Sequence, residues 1–272
     1  MTSIDQRRAA FRALHASGCF VIPNPWDVGS ARYLAHLGFK ALASTSAGFA
    51  FSHGVPDTRV GRDAVLAHLA ALVEATELPV NADFENGFAH DPAGVADNVR
   101  LCAATGVAGL SIEDATGDAS APLYEEAHAA ARIRAARDAL DRHAPDAMLV
   151  ARAECFLVGR PHLPEVIARL RAYANAGADC LYAPGLRKRE DIAAVVDAVA
   201  PMPFNLLVSS PIGMAVADIA ALGVRRISLG GALARAAWGG FMRAATDIAQ
   251  HGSFEALADA APHAALQKTF GA

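Results

Sequence analysis

Residues 79–88, PVNADFENGF, decide how the rest of the chain is read, together with residues 108–117 (AGLSIEDATG) and 149–156 (LVARAECF). Each is a short apolar run that ends abruptly in charge. Residues 79–82 end in Asp83 and Glu85, residues 108–112 in Glu113 and Asp114, and residues 148–151 in Arg152 and Glu154. Apolar runs of about four to six residues bounded by turn residues suit strands buried on both faces, as in a parallel sheet. Charges at the tips of such strands cannot stay in the core, so they emerge at the rim. If the strands are parallel, all the tips emerge at one rim. Carboxylates gathered there around one guanidinium suit a hard divalent ion, Mg²⁺ with Mn²⁺ as the alternative.

Outward from these strands, helical and strand patterns alternate along the whole chain. Residues 3–17 read as a helix with Ser3 as N-cap and Gly18 as stop. Strands are expected at 19–23, 40–46, 79–82, 107–112, 148–153, 179–183, 204–208 and 226–229, with helices between them. Residues 49–59 carry Gly54, Pro56 and Asp57 without a clear period and read as a loop. A long helix over 232–251 and a helical tail over 253–266 close the chain. Eight strand–helix units without a linker match a single (β/α)8 TIM-barrel domain over residues 1–272. A doubly wound open sheet is the alternative. It lacks a Gly-rich phosphate loop after the first strand, and it would scatter the charged tips that a barrel brings together.

Composition narrows the function. Of the 272 residues 53% are hydrophobic, the formal net charge is −4, and no Lys/Arg run offers a nucleic-acid footprint. No apolar run approaches the roughly 20 residues a membrane span needs, and the N-terminus MTSIDQRRAAFRAL has no signal-peptide core. Cys19, Cys102, Cys155 and Cys180 are scattered without CxxC spacing, as expected of free thiols in a reducing cytoplasm. The histidines show no HxH or HExxH spacing, and Ser209 and Ser210 lack a GxSxG frame, which argues against a zinc hydrolase and an esterase.

Individual residues carry the chemistry. In extended geometry Asp83 and Glu85 project to the same side, a costly pair unless a cation or proton lies between them. Arg152 has the fork to hold a substrate carboxylate, and equally to form a structural ion pair with Glu154 or Glu113. Ser44, Thr45 and Ser46 offer hydroxyl and N–H donors to an oxyanion, although such clusters also serve turns. Asn205, alone in an apolar strand, points to a ligand or a buried hydrogen bond.

In this order and spacing, DVGSARYLAHLGFKALASTSAGFAFSHGVPD, PVNADFENGF, GVAGLSIED, ARAE, RAYANAGAD, PFNLLVSSP and ALGVRRISLG resemble the isocitrate lyase/phosphoenolpyruvate mutase superfamily, in its phosphonomutase-like branch. The resemblance implies a Mg²⁺-dependent barrel that binds an α-oxo acid and makes or breaks the bond to carbon three. It also implies a homodimer or homotetramer that exchanges its eighth helix, with residues of about 232–266 making the contacts. By position, Asp83 matches the acidic residue nearest the metal, with Glu85 beside it and Glu113 reaching the ion through water. Asp57 matches an outer acidic residue, Arg152 the substrate-binding arginine, and Asn205 the asparagine of the seventh strand. Thr45 and Ser46 lie where the substrate carboxylate and carbonyl are held.

One departure separates this chain from its relatives. Isocitrate and methylisocitrate lyases carry a Lys-Arg/Lys-Cys-Gly-His run in the loop after the fourth strand, and the mutases carry a Lys and an Asn. Here residues 115–124 read ATGDASAPLY, without Cys, Lys or His. The loop offers Tyr124 and Asp118, with Glu125 next to it, as proton donors. The reading that follows is a Mg-dependent lyase that cleaves a C–C bond of a small α-oxo or 2-hydroxy acid, of oxaloacetate decarboxylase or methylisocitrate lyase type. Its rivals are P–C chemistry, as in a phosphonomutase or phosphonopyruvate hydrolase, and a barrel that binds a metabolite without turning it over.

Overall fold

The computed structural model describes residues 2–271, and within them the strands are short because each spans only a barrel wall. They are β1 (Phe20–Ile22), β2 (Leu42–Ala43), β3 (Val80–Asp83), β4 (Gly109–Glu113), β5 (Met148–Arg152), β6 (Cys180–Tyr182), β7 (Phe204–Leu207) and β8 (Arg226–Ser228). All pair in parallel in the order β1-β8-β7-β6-β5-β4-β3-β2. The seam between β1 and β2 has no ladder of its own. Instead the Ala43 N–H donates to the Pro23 carbonyl at 3.0 Å. The Asn24 side chain completes the seam, donating to the Ser44 carbonyl and accepting from the N–H groups of Leu229 and Gly230. The chain is a (β/α)8 TIM barrel.

The helices are α1 (Ile4–Ala16), α2 (Val28–His36), α3 (Ser46–Ser52), α4 (Arg62–Ala75), α5 (Pro92–Ala104), α6 (Glu126–His143), α7 (Leu163–Asn175), α8 (Arg189–Val199), α9 (Val216–Ala220), α10 (Ala232–His251) and α11 (His263–Phe270). As expected, Ser3 caps α1, in a reciprocal box with Gln6. This helix closes the N-terminal end of the barrel. Its Phe11 is fully buried against Ile22, Ala41, Ala108 and Met148, and His15 lies edge-on to Phe11 and Phe20. Arg12 and Arg137 both pair with Asp179, which ties α1 and α6 to the start of β6.

Three local expectations are corrected. The strand expected over 40–46 stops at Ala43, because Thr45 accepts a hydrogen bond from the Gly48 N–H and starts α3. Part of the loop expected over 49–59 therefore belongs to that helix. The glycine is required there, since a Cβ at Gly48 would lie 2.8 Å from Trp26 Cβ and 3.2 Å from Ala234 Cβ. In the tail, Pro262 ends one segment and starts another, so a 3₁₀ turn (Glu255–Asp259) precedes α11. Among the described residues no helix is long and apolar enough to cross a membrane.

Two consequences are measurable. A Cβ at Gly109 would lie 2.9 Å from the Met148 carbonyl oxygen and 2.9 Å from Phe11. Gly109→Ala is therefore expected to destabilise the fold by about 1–3 kcal/mol in urea titration. Burial, with Arg226 close by, pushes the His15 pKa from 6.5 down to about 3. Between those values the unfolded chain binds a proton that the folded chain does not. This contribution is thus fully present above about pH 6.5 and lost as pH falls, by up to about 1.4 kcal/mol per pH unit. His15→Phe should flatten the wild-type slope between pH 6.5 and 5; equal slopes would refute the assignment.

Candidate active site

The C-terminal ends of the strands surround a cavity of about 160 Å³. Its centre of charge is Arg152 at the tip of β5. Each nitrogen of its guanidinium faces a carboxylate: Nη1 meets Asp83 at 2.8 Å, Nη2 meets Glu113 at 3.2 Å, and Nε meets Glu154 at 2.8 Å. The same guanidinium lies over the Tyr182 ring, 4.9 Å from its centroid. Asp83 is held from its other side by α3, whose first residue Ser46 donates both its N–H and its hydroxyl to Oδ2 at 3.0 and 3.1 Å. Ser44 Oγ accepts from the Asp83 N–H at 2.8 Å. The hydroxyl-rich exit of β2 is thus a cradle for one carboxylate.

Negative charge is in excess here, and protonation equilibria record it. Burial, followed by the charges of Asp83 and Asp57, raises Glu85 from 4.5 to about 8. Burial also raises Glu113 and Glu154, because one guanidinium offsets neither of them fully. Asp57, turned toward Ser46 at the cavity mouth, is raised by partial desolvation and by Asp83.

The expected same-side projection of Asp83 and Glu85 is not what holds them together. The strand ends at Asp83, Phe84 enters the core, and Glu85 takes a left-handed φ of 47°. Such a conformation is strained for a residue with a Cβ, and the surroundings hold it in place. Glu85 O accepts from the Glu113 N–H at 2.9 Å. Asn98 donates to the Gly87 carbonyl, and Arg132 donates to the carbonyls of Asn86, Ala89 and Glu113.

Behind β4 and β5 lies a buried support. Asp114 accepts from the Glu154 N–H at 2.8 Å, the Tyr173 hydroxyl at 2.6 Å and Arg169 at 3.0 Å. Arg169 also donates to the Tyr124 carbonyl. The loop after β4 hangs from this support as a closed hairpin. Ala115 and Leu123 form an antiparallel bridge, and Thr116 binds the Ala121 and Pro122 carbonyls. At its exposed tip Asp118 is engaged with Ser120. Tyr124 is buried under Arg132, with its hydroxyl 2.6 Å from His90 Nδ1. Tyr124, Asp118 and Glu125, the expected proton donors, are all absent from the cavity wall.

Of the residues singled out in the sequence, Ser44, Thr45, Ser46, Asp57, Asp83 and Arg152 line the cavity. Glu113 stands behind Arg152, and Glu85 lies buried beside the carboxylate cluster. Asn205 does not reach the wall. It is fully buried, accepting from Arg226 Nε at 2.7 Å and donating to Ser228 Oγ at 2.9 Å. Asn24, Tyr182, Arg226 and Ser228 line the cavity without having been identified as site residues. The alternation Arg226-Ile227-Ser228, polar on one side of a short strand, was the available signal for two of them.

The donor set fits a hard divalent cation. Among the described residues, no three His, Cys, Asp or Glu side chains stand around one point as direct ligands. Mg²⁺ does not need that arrangement, because it keeps several waters and takes one or two carboxylates directly. Glu85 and Glu113, both raised by burial and by neighbouring carboxylates, are the groups whose charge such an ion would offset.

A family profile described as phosphoenolpyruvate phosphomutase matches residues 11–249. A crystal structure of a candidate lyase/mutase from Burkholderia cenocepacia J2315 is 50% identical, covers 99% of this chain and 98% of that one, and superposes with a TM-score of 0.96. The oxaloacetate decarboxylase of Rhodopseudomonas palustris BisB5 is 32% identical over 200 residues, 71% of this chain and 68% of the relative. An oxaloacetate acetylhydrolase in complex with its product oxalate is 27% identical, with 98% and 95% of the two chains covered and a TM-score of 0.86. The chain belongs to the phosphoenolpyruvate phosphomutase family, within the phosphoenolpyruvate mutase/isocitrate lyase superfamily.

Proposed function

We propose that the protein is a Mg²⁺-dependent carbon–carbon lyase acting on a small α-oxo acid, with oxaloacetate as the first candidate. The observation that carries the choice of reaction is the loop after β4. It holds no Cys, Lys or His, closes on itself as a hairpin, and sends no side chain into the cavity. Decarboxylation of a β-oxo acid suits such a site. The bond between carbons three and four breaks, its electron pair passes toward the carbonyl at carbon two, CO₂ leaves without a general base, and the enolate takes a proton from water at carbon three to give pyruvate. The bound ion supplies positive charge where that pair collects. Methylisocitrate-type cleavage needs a base on the substrate hydroxyl, which this loop lacks. Names of relatives, among them an oxaloacetate decarboxylase, a 2-methylisocitrate lyase and an oxaloacetate acetylhydrolase, support carbon–carbon cleavage in a small carboxylic acid without choosing between these reactions.

In this reading Asp83 holds the ion, with Glu85 and Glu113 behind it and Asp57 in the outer shell. Ser46 and Thr45 orient the substrate oxygens at the start of α3. Arg152, paired with Asp83, Glu113 and Glu154 in the protein alone, would hold the substrate carboxylate with its guanidinium fork. Asn205 acts from one layer back, through Ser228 and Arg226.

The exposed face of α10 supports an assembly of several copies. Of its 20 residues only Ala234 is buried, and Trp238, Phe241 and Met242 are exposed. We assign this face to a second copy of the chain, with the helix exchanged between subunits of a dimer or tetramer. Free thiols at all four cysteines support a cytoplasmic location.

Turnover with Mg²⁺ of oxaloacetate, 2-methylisocitrate, isocitrate and phosphonopyruvate tests the reaction. Pyruvate should appear from oxaloacetate above the metal-only background, and Asp83→Asn should lower that rate by about a hundredfold or more. Phosphate from phosphonopyruvate would move the assignment to P–C chemistry; oxalate binding without turnover would make the barrel a binding protein. In sedimentation, Phe241→Asp should shift the protein toward monomer; an unchanged wild-type monomer would refute the assembly.

A further inference from the structure

The cavity has a second cationic group, at its floor. Arg226, the first residue of β8, is 2% exposed and shares the cavity wall with Arg152 and Asp83. Its Nε donates to Asn205 Oδ1 at 2.7 Å, while its Nη1 is buried and has no hydrogen-bond partner. Among the described residues no carboxylate forms an ion pair with it. Its titratable neighbours are Cys180, Tyr182, Arg152 and, below it, His15. Neutral or cationic at neutral pH, they do not offset its charge. Burial of an unpaired guanidinium is costly, and TIM-barrel interiors are ordinarily filled by branched apolar side chains.

The surroundings are polar as well. Ser228 Oγ, Tyr182 and Asn81 line the same cavity, and Asn81 Oδ1 is a second buried atom without a partner. Asn205 braces this floor by binding both Arg226 and Ser228. An acceptor placed here meets the Arg226 guanidinium, which no carboxylate offsets, and the hydroxyls of Ser228 and Tyr182. A ligand spanning the cavity meets the Asp83–Arg152 cluster at one end and Arg226 at the other.

We propose that Arg226 forms an anion subsite at the cavity floor that takes the second carboxylate of a dicarboxylic substrate and so selects dicarboxylic over monocarboxylic acids. The proposal rests on the α-oxo acid reading of the site and deepens it: the group at the far end of the substrate is anionic. Arg226 is then a specificity-determining residue, and Asn205 positions it.

Malate and lactate, which differ by that one carboxylate, test this by calorimetry on the Mg²⁺-loaded full chain, with oxalate as a probe of the upper half alone. Wild type should bind malate at least about tenfold more tightly than lactate, the scale of one hydrogen bond to a charged group. Arg226→Met should abolish the preference while leaving oxalate affinity unchanged, and Arg226→Lys should restore part of it. If Arg226→Met does not fold, Arg226→Gln, which keeps a donor toward Asn205 Oδ1, serves in its place. A preference that survives loss of the charge overturns the subsite. So does an equal loss of malate, lactate and oxalate binding, which would make the residue structural. Stabilisation of wild type but not the variant by chloride, with malate and lactate bound equally, would make Arg226 the holder of a resident ion and likewise end the proposal. Failure of wild type to bind oxalate would sink the underlying α-oxo acid reading itself, an outcome separable from loss of malate selectivity alone.

Discussion

The structure turns on one electrostatic constraint, the gathering of carboxylates around the Arg152 guanidinium at the mouth of the barrel. A lone guanidinium facing Asp83, Glu113 and Glu154 cannot neutralise all of them. Burial makes the remainder expensive. The raised pKa of Glu85, to about 8, expresses that cost in the protein alone. A divalent ion would relieve the same cost, which is the physical basis of the proposed metal site.

Much of the surrounding structure serves to hold that cluster in place. Asp114, buried between Arg169 and Tyr173, takes the Glu154 N–H and so fixes the segment beyond β5. Arg132 gathers three carbonyls and thereby holds the turn in which Glu85 and Phe88 adopt left-handed backbone. On the opposite wall, Asn24 joins the ends of β1, β2 and β8 where the ladder is missing. These are side-chain-to-backbone bonds from buried polar groups, each of which would be costly if left unpaired. They let a rigid scaffold carry charges that would otherwise repel one another apart.

How much of this was legible in the sequence depended on whether the signal was local. The abrupt change from apolar run to charge at Asp83, Glu113 and Arg152 marked three strand ends, because a buried strand cannot carry those groups inside. Short α3 was not legible: seven residues show little period, and the helix exists because Thr45 caps it and Gly48 admits Trp26 and Ala234. Glu85 lies near Asp83, but not through the extended geometry expected of a strand end. The backbone turns instead of continuing extended, and the proximity to Asp83 is made by partners far away in sequence. Asn205 was read as touching a ligand or a buried hydrogen bond. The structure gives it the second role, between Arg226 and Ser228.

By itself the sequence determined the alternation of strands and helices, and with it the barrel and the rim on which charge would collect. These follow from periodicity and from the cost of burying charge, which act within a few residues. Only the tertiary structure decided which carboxylates Arg152 would meet and that the loop after β4 closes on itself. It likewise decided that Arg226 would stand unpaired beneath the site. Those outcomes depend on register across neighbouring strands and on partners distant in the chain, such as Arg152 with Asp83, 69 residues apart, and Asn205 with Arg226, 21 apart. No local propensity encodes a distance between side chains that meet only when the barrel closes.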